Sequence, residues 1–411
     1  MIGYPWHVVA ASLAIDWSAQ GDEWLHRFSR ALAETSISVV GHLYDATTEP
    51  FLRITLQGGN GAGTVVLLAF TTDSVFVILA GESAADENFV GVVTTAAEHA
   101  AATLGDEGEE IPWTAIIGPG PERISGGTSR LTAEVSIGSM KLTSTDQVLV
   151  EPDLTQQRSL SSWGIQRSIP IRVSGSTRGY NWISASVPAT RDLHTLCGLL
   201  SVVTDESLVV REVPAPTEWG ERPVPASLPW YRPSATDTFD LSAATALTLP
   251  EMLDSAWSRV RQEPVLIAAL DTYLEGIQAA PRHPSLAAVS FVASVETVAG
   301  KLFKFERCES CKNRLRLGAA FKASLRKVVS EEEAAALDFV YNARSKTVHS
   351  GRLHGGETTP GVLFLGPWSQ DTASDFRWRT LWRLRSATRL LLAWSIANPW
   401  PARTPVTPAG G

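Results

Sequence analysis

Seven prolines punctuate residues 213–250: Pro214, Pro216, Pro223, Pro225, Pro229, Pro233 and Pro250. Proline lacks a backbone N–H and fixes its own φ, so neither a regular helix nor a central strand can run through a segment this dense in it. The stretch therefore reads as a linker. It parts residues 1–212 from residues 251–400, and the hydrophobic period differs on its two sides.

Before the linker the pattern is mixed and strand-rich. Phe51–Leu56, Thr64–Phe70, Ser74–Leu79, Leu131–Ile137 and Ile169–Val173 read as strands between turn residues. Asp22–Glu34, Gly91–Leu104 and Ala189–Leu200 read as helices. Residues 105–127 are acidic, then rich in Gly and Pro, and mark a candidate break between two subdomains. The run Gly58–Gly63 is glycine-rich, but no Lys-Ser/Thr follows it, so it predicts a flexible hairpin rather than a phosphate loop.

After the linker the period is helical. The spacing predicts helices at Pro250–Arg261, Pro264–Ala279, Ser285–Phe305, Cys311–Val329, Ser330–His349 and Thr372–Ala397. The expected class is thus α+β and multidomain: a strand-rich N-terminal region, then an all-α bundle with short connections. Residues 401–411 are expected to be a flexible tail.

The formal charge of the 411-residue chain, -8, conceals an asymmetry. Residues 1–240 carry 14 Lys+Arg against 28 Asp+Glu, whereas residues 241–411 carry 21 against 15. A basic helical half fits a polyanionic partner such as RNA. It equally fits a solvated helix face or docking on the acidic half. Three cysteines, Cys197, Cys308 and Cys311, do not make a disulfide framework. Cys308 and Cys311 have half the spacing of a zinc site but no second pair, so reduced thiols are expected, with no metal and no cofactor. No stretch reads as a leader or a membrane span, which predicts a cytoplasmic protein with no membrane partner.

The chemistry concentrates near the end of the Ser330–His349 segment. Ser330 and Glu333 have capping-box spacing, and Gly351 is placed to stop the helix. Leu337, Val340, Tyr341 and Val348 share a stripe with Arg344, so Arg344 should face an interior or an interface. An arginine offers a planar fork to phosphate, and a histidine moves protons near neutral pH. His349 lies about 140° around an ideal helix from Arg344. The two converge only if the helix loosens at its end, or across a dimer. Without any catalysis, both residues suit the negative end of a helix dipole.

The string Tyr341-Asn342-Ala343-Arg344-Ser345-Lys346-Thr347-Val348-His349-Ser350-Gly351 resembles the signature of HEPN domains, the Apea-like branch above all. Phe291–Glu296 resembles part of that family's first long helix. The resemblance covers roughly residues 250–400. It implies a helical bundle that dimerises through this domain, and a metal-independent ribonuclease in antiviral defence or abortive infection. The family's catalytic Arg and His carry over onto Arg344 and His349. Ser345 departs from the Asn, Asp or His common in active members. Ser345, Lys346, Tyr341, Glu296, Arg352 and His354 are the supporting or RNA-binding candidates. Glu296 and Lys301, a carboxylate and an ammonium on the preceding helix, are placed to pair with Arg344, to lie at the site's rim, or to form a structural ion pair. Gly351, Gly355 and Gly356 predict a mobile loop carrying Arg352 and His354. Arg377, Arg379, Arg383, Arg385 and Arg389, interleaved with Trp378, Trp382 and Trp394, suit either RNA contact or a core helix with a basic outer face.

Three functions remain open at this point, the third being a sensor or scaffold whose N-terminal region carries the function. One is a hydrolase effector in which the N-terminal region senses a trigger and the helical domain cuts RNA. The alternative is a non-catalytic HEPN module that binds nucleotide, nucleic acid or a protein partner.

Overall fold

The computed structural model describes residues 7–44, 51–57, 63–80, 86–120, 129–145, 148–152, 165–204, 206–220, 244–305, 317–357 and 372–405. The chain forms two compact units. The first comprises residues 1–112 and 176–189, and the second comprises 113–175 and 190–411. The first unit ends well before the proline-rich stretch.

In the first unit, β1 (His7–Leu13), α1 (Trp17–Glu34), β2 (Ser38–Tyr44), β3 (Phe51–Gln57), β4 (Gly63–Phe70), β5 (Val75–Ala80) and α2 (Glu87–Ala102) follow in order. The strands make one antiparallel sheet in the order β1-β5-β4-β3-β2. Alternation along the strands sends Leu52, Ile54, Leu56, Val66, Leu68, Val75, Val77 and Leu79 to the buried face. There they meet Trp24, Phe28 and Leu32 of α1 and Val93, Ala97 and Ala100 of α2. Trp24 stacks on Phe28 at 5.0 Å and donates its Nε1–H to the Ala97 carbonyl at 3.2 Å, so one buried side chain joins the two helices.

Both helices start earlier than their apolar period suggests. Asp16 accepts from the N–H groups of Ser18 and Ala19, and Asp86 from those of Asn88 and Phe89. Each carboxylate satisfies the orphan donors of a first turn and so fixes the start. The Ser18 hydroxyl, with these amides, holds the Asp16 carboxyl below its ordinary range. β3 and β4 pair antiparallel with Gln57 facing Gly63. Residues 58–62, on which the expected flexible hairpin falls, lie outside the described residues.

A second five-stranded sheet has the order β13-β6-β12-β9-β8. Its members are β6 (Glu109–Pro119), β8 (Val135–Ile137), β9 (Met140–Ser144), β12 (Ile171–Gly179) and β13 (Leu208–Pro216). β6 occupies most of the described part of the stretch read as a break. β13 holds Pro214 and Pro216, and it can do so because it is an edge strand. The single strand expected at Leu131–Ile137 is two: β7 (Ser129–Leu131), which pairs in parallel with β14 (Thr245–Leu247), and β8. β10 (Leu149–Pro152) and β11 (Ile165–Ser168) form a separate ribbon. Helix α3 (Trp182–Thr204) begins seven residues before the expected Ala189 and passes through Pro188. Asn181 starts it by accepting from the Ser184 N–H at 2.9 Å.

The C-terminal half is helical: α4 (Leu253–Gln262), α5 (Pro264–Ala279), α6 (Pro284–Leu302), α7 (Leu317–Leu325), α8 (Glu331–Ala336), α9 (Asp338–Ser350), α10 (Thr372–Asp375) and α11 (Leu381–Ala397). The whole chain is thus α+β, with strand-rich sheets first and helices after. A π turn at Phe376–Thr380 joins α10 to α11, so the expected long last helix is continuous but not uniform. α6 is the axis of this region and packs against α5, α7, α9 and α11. Among the described residues it alone is long and apolar enough to cross a membrane. Its buried Phe291, Val292, Val295 and Val298 mark it as a core helix. Gly276 lets α5 approach it, since a Cβ there would meet the Phe291 ring at 2.5 Å. Ser294 adds a bond from Oγ to the Ala269 carbonyl at 2.7 Å. Within the expected tail, β16 (Thr404–Pro405) pairs with β15 (Phe303–Lys304). Cys308 and Cys311 lie outside the described residues, as does most of the proline-rich linker. Cys197 is buried, which pushes its thiol strongly up.

Candidate functional site

The segment expected as one helix from Ser330 to His349 is two helices that meet at Leu337. Ser330 accepts from the Glu333 N–H at 3.1 Å, the first half of a capping box. The reciprocal half is missing because the Glu333 carboxylate is taken by Arg383, whose Nε donates to it at 2.8 Å. That bond, with the Arg383 charge, holds the Glu333 carboxyl below its usual range. Lys322 of α7 reaches Asp338 at 2.7 Å and pins the start of α9.

Helix α9 stays α-helical through Ser350, and only then does Gly351 take the left-handed conformation, φ 65°. The Gly351 N–H bonds to the Thr347 carbonyl at 3.1 Å, closing the helix as its position predicted. The helix therefore does not loosen before His349. Arg344 and His349 remain about 140° apart around the axis and about 7.5 Å apart along it. Arg344 turns inward and His349 is exposed on the surface. The two are not brought together within one chain.

Arg344 is brought together with Glu296 and Tyr341. Glu296 projects from α6, and its Oε2 accepts from Arg344 Nη2 at 3.0 Å. Its Oε1 accepts from the Tyr341 hydroxyl at 3.1 Å. Both charged side chains are largely sheltered, with 24 % of Arg344 and 16 % of Glu296 exposed. Shelter of this degree makes the bond count for more than a surface ion pair does. Burial, with the Glu296 charge, pushes the Tyr341 phenol up to about 12, so it stays protonated and a donor. Phe321 packs on the Tyr341 ring at 5.5 Å. The Arg344 Nε is buried without a hydrogen-bond partner. Lys301 takes no part, pairing instead with Glu263 at 3.4 Å.

Val348, one turn beyond Arg344 on the same stripe, is 53 % exposed, so the apolar stripe of α9 runs out into solvent. Ser345 is half-buried and Lys346 is exposed.

The loop after α9 is tied down rather than mobile, contrary to the reading of its glycines. His354 N–H donates to Ser285 Oγ at 2.7 Å, and Thr347 Oγ1 donates to the Arg352 carbonyl at 2.9 Å. Glu357 accepts from the N–H groups of Ser285 at 2.7 Å and of Gly355 at 3.0 Å. Burial alone would raise the Glu357 carboxyl, but these bonds outweigh it and hold it low. Buried Arg377 donates to the carbonyls of Pro281 and Gly355. The glycine count overlooked this network because its partners, Ser285 and Arg377, are about seventy and twenty residues away. No local signal points to it.

Arg352 is exposed. His354 is half-buried, and its pKa is lowered by burial and by the Arg352 charge beside it. Its ring stands 5.5 Å from that of Phe376. The arginines of the last helix are mostly occupied by the fold. Arg377 and Arg389 bind main-chain carbonyls, Arg379 pairs with Asp375, Arg383 pairs with Glu333, and Arg385 is buried. Arg379 and Arg383 are exposed beside Trp382 on the outer face, each paired with a carboxylate, whereas Arg377 and Arg385 are buried. Among the described residues no cluster of His, Cys, Asp or Glu could hold a metal ion. No protein-family model matches the chain, and no curated protein matches it either.

Proposed function

We propose that the helical C-terminal region is a metal-independent endoribonuclease of the HEPN type. The observation that carries this reading is the state of Arg344. Glu296 fixes its guanidinium while Nε remains buried and unsatisfied. An orphaned donor of this kind costs about 1–3 kcal/mol, and the guanidinium fork that carries it suits carboxylate and phosphate oxygens alike.

In the proposed reaction a ribose 2′-hydroxyl attacks the adjacent phosphorus. The 2′-O–P bond forms, the P–O5′ bond breaks, the 2′ proton leaves and O5′ gains one. The products are a 2′,3′-cyclic phosphate and a 5′-hydroxyl. His349 moves a proton as acid or base, and Arg344 stabilises the charge on the phosphorane-like transition state. Because Arg344 and His349 diverge on one helix, the working site is shared between two copies. The exposed Val348 beside Arg344 and the exposed Trp382 support a homodimer through this region. The strand-rich part would recognise a trigger, in a cytoplasmic antiviral or growth-arrest role.

Mixing two inactive variants tests the shared site. If Arg344 of one copy works with His349 of the other, Arg344→Ala protein mixed with His349→Ala protein regains cleavage. A mixture no more active than either variant rejects it. The second reading, a non-catalytic binding module, is favoured by the Glu296 pairing, which already neutralises Arg344. Under that reading neither variant changes RNA integrity.

A further inference from the structure

Helices α1 and α2 both pack on one face of the β1–β5 sheet. Alternation along the strands sends the remaining side chains to the opposite face. The register places Val9, Ile78, Leu67 and Arg53 side by side in one row of that face, and Phe76 beside Ala69 in the next. Val9 is 58 % exposed, the others are half-buried, and none belongs to the core that the helices cover. We propose that a second copy of this chain covers this face, the two sheets packing as a sandwich. The contact is independent of the ribonuclease reading and separate from the pairing proposed for the helical region.

Three features point to a second copy. First, every one of these side chains but Arg53 is apolar, and they are contiguous. A soluble monomer rarely leaves an apolar patch of more than a few hundred Å² open to water. Second, the area suffices. The sheet has five strands of six to eight residues. At about 4.8 Å between strands and about 3.3 Å per residue its face covers about 500 Å², roughly 1,000 Å² over two copies, the size a specific interface has to reach. Third, the face is self-complementary. β4 is the central strand. A two-fold axis along it lays β3 of one copy over β5 of the other. Each Arg53 then meets Phe76 and Ile78 across the contact rather than the other Arg53. A guanidinium over an aromatic ring is attractive, so the one charge on the face is accommodated. Small Ala69 beside large Phe76 gives each face a hollow and a ridge, which lets two sheets interdigitate at about 10 Å.

Sedimentation velocity of the full-length protein at about 1–50 μM tests this, with Ile78→Glu and Val9→Glu beside the wild type. Ile78 lies within the face, and a carboxylate enclosed there finds no partner, so this variant should lose the contact. Val9 lies on the edge strand β1, so Val9→Glu should weaken the contact by about tenfold. Circular dichroism checks both folds. Should Ile78→Glu protein not fold, Val9→Glu decides, because that position is already open to water. At equal concentration the wild type should have at least twice the mass of Ile78→Glu protein. The helical pairing reads out separately. Variant dimers beside larger wild-type assemblies mean that both contacts form, and variant monomers beside a wild-type dimer mean that the sheet face pairs alone. A monomeric wild type overturns the proposal, as does a wild type whose mass neither variant changes.

Discussion

The first unit and the helical region bury different things. Around the antiparallel sheet β1–β5 the interior is apolar, and Thr64 is the one polar side chain fully buried there among the described residues. Its carboxylate caps, Asp16 and Asp86, lie at the surface ends of helices. The helical region instead encloses Arg377, Arg385, Ser285, Ser294, Thr347, Thr388 and Ser395. An apolar interior specifies a shape through volume and periodicity alone. A polar interior must satisfy each donor and acceptor individually, and it then holds those groups in place. The helical region thus holds directional groups in fixed positions within its interior.

The contrast can be broken at its apolar end most forcefully. Trp24→Ala should cost about 3–5 kcal/mol, through a large cavity and the lost bond to Ala97. Urea unfolding followed by circular dichroism measures this, and a cost under about 1 kcal/mol would mean that the α1–α2 layer does not depend on its core. At the polar end, Arg344→Lys keeps charge but loses the planar fork. It should lower RNA cleavage by about a hundredfold while leaving the melting temperature within a few degrees. Equal rates for Lys and Arg would reduce the role to plain charge.

Glu357 sharpens the comparison through pH. Its folded pKa is depressed, so the stability it supplies is present above the unfolded value of 4.5 and is lost as pH falls through the folded one. Glu357→Gln should therefore cost about 1–3 kcal/mol near pH 7 and progressively less below pH 4.5. Parallel stability curves at both pH values would contradict the network. The smallest effect is expected at a cap. Asp86→Ala should cost about 0.5–2 kcal/mol, read as a modest fall in melting temperature with no change in cleavage.

The fold was readable from sequence wherever period and punctuation sufficed. Strands β3, β4 and β5, helix α5 and the end of helix α9 follow from alternation, from Pro264 at a helix start and from Gly351 at a helix end. Starts set by a cap just upstream, as at Asp16, were placed late because the apolar period begins after the cap. Helix α3 likewise starts upstream of the expected Ala189, at Trp182, and carries Pro188 inside it. At the site, Arg344 facing inward follows from its stripe. The sequence offers Glu296 as a partner for Arg344, and it is one; the added bond from Tyr341 to the same carboxylate depends on the packing of α6 against α9, which no spacing within either helix encodes. The pinned loop is likewise invisible, because glycines report conformational freedom and not the Ser285, Glu357 and Arg377 contacts that remove it.

The central claim is that His349 takes part in cutting RNA without metal. Purified full-length protein incubated with total RNA in excess EDTA tests it directly, beside His349→Ala protein of matched circular dichroism. The account predicts cleavage by the wild type, 5′-hydroxyl and cyclic phosphate ends, and a rate lower by about 10²–10⁴ in the variant. Intact RNA with the wild type, or equal cleavage by both proteins, would contradict it.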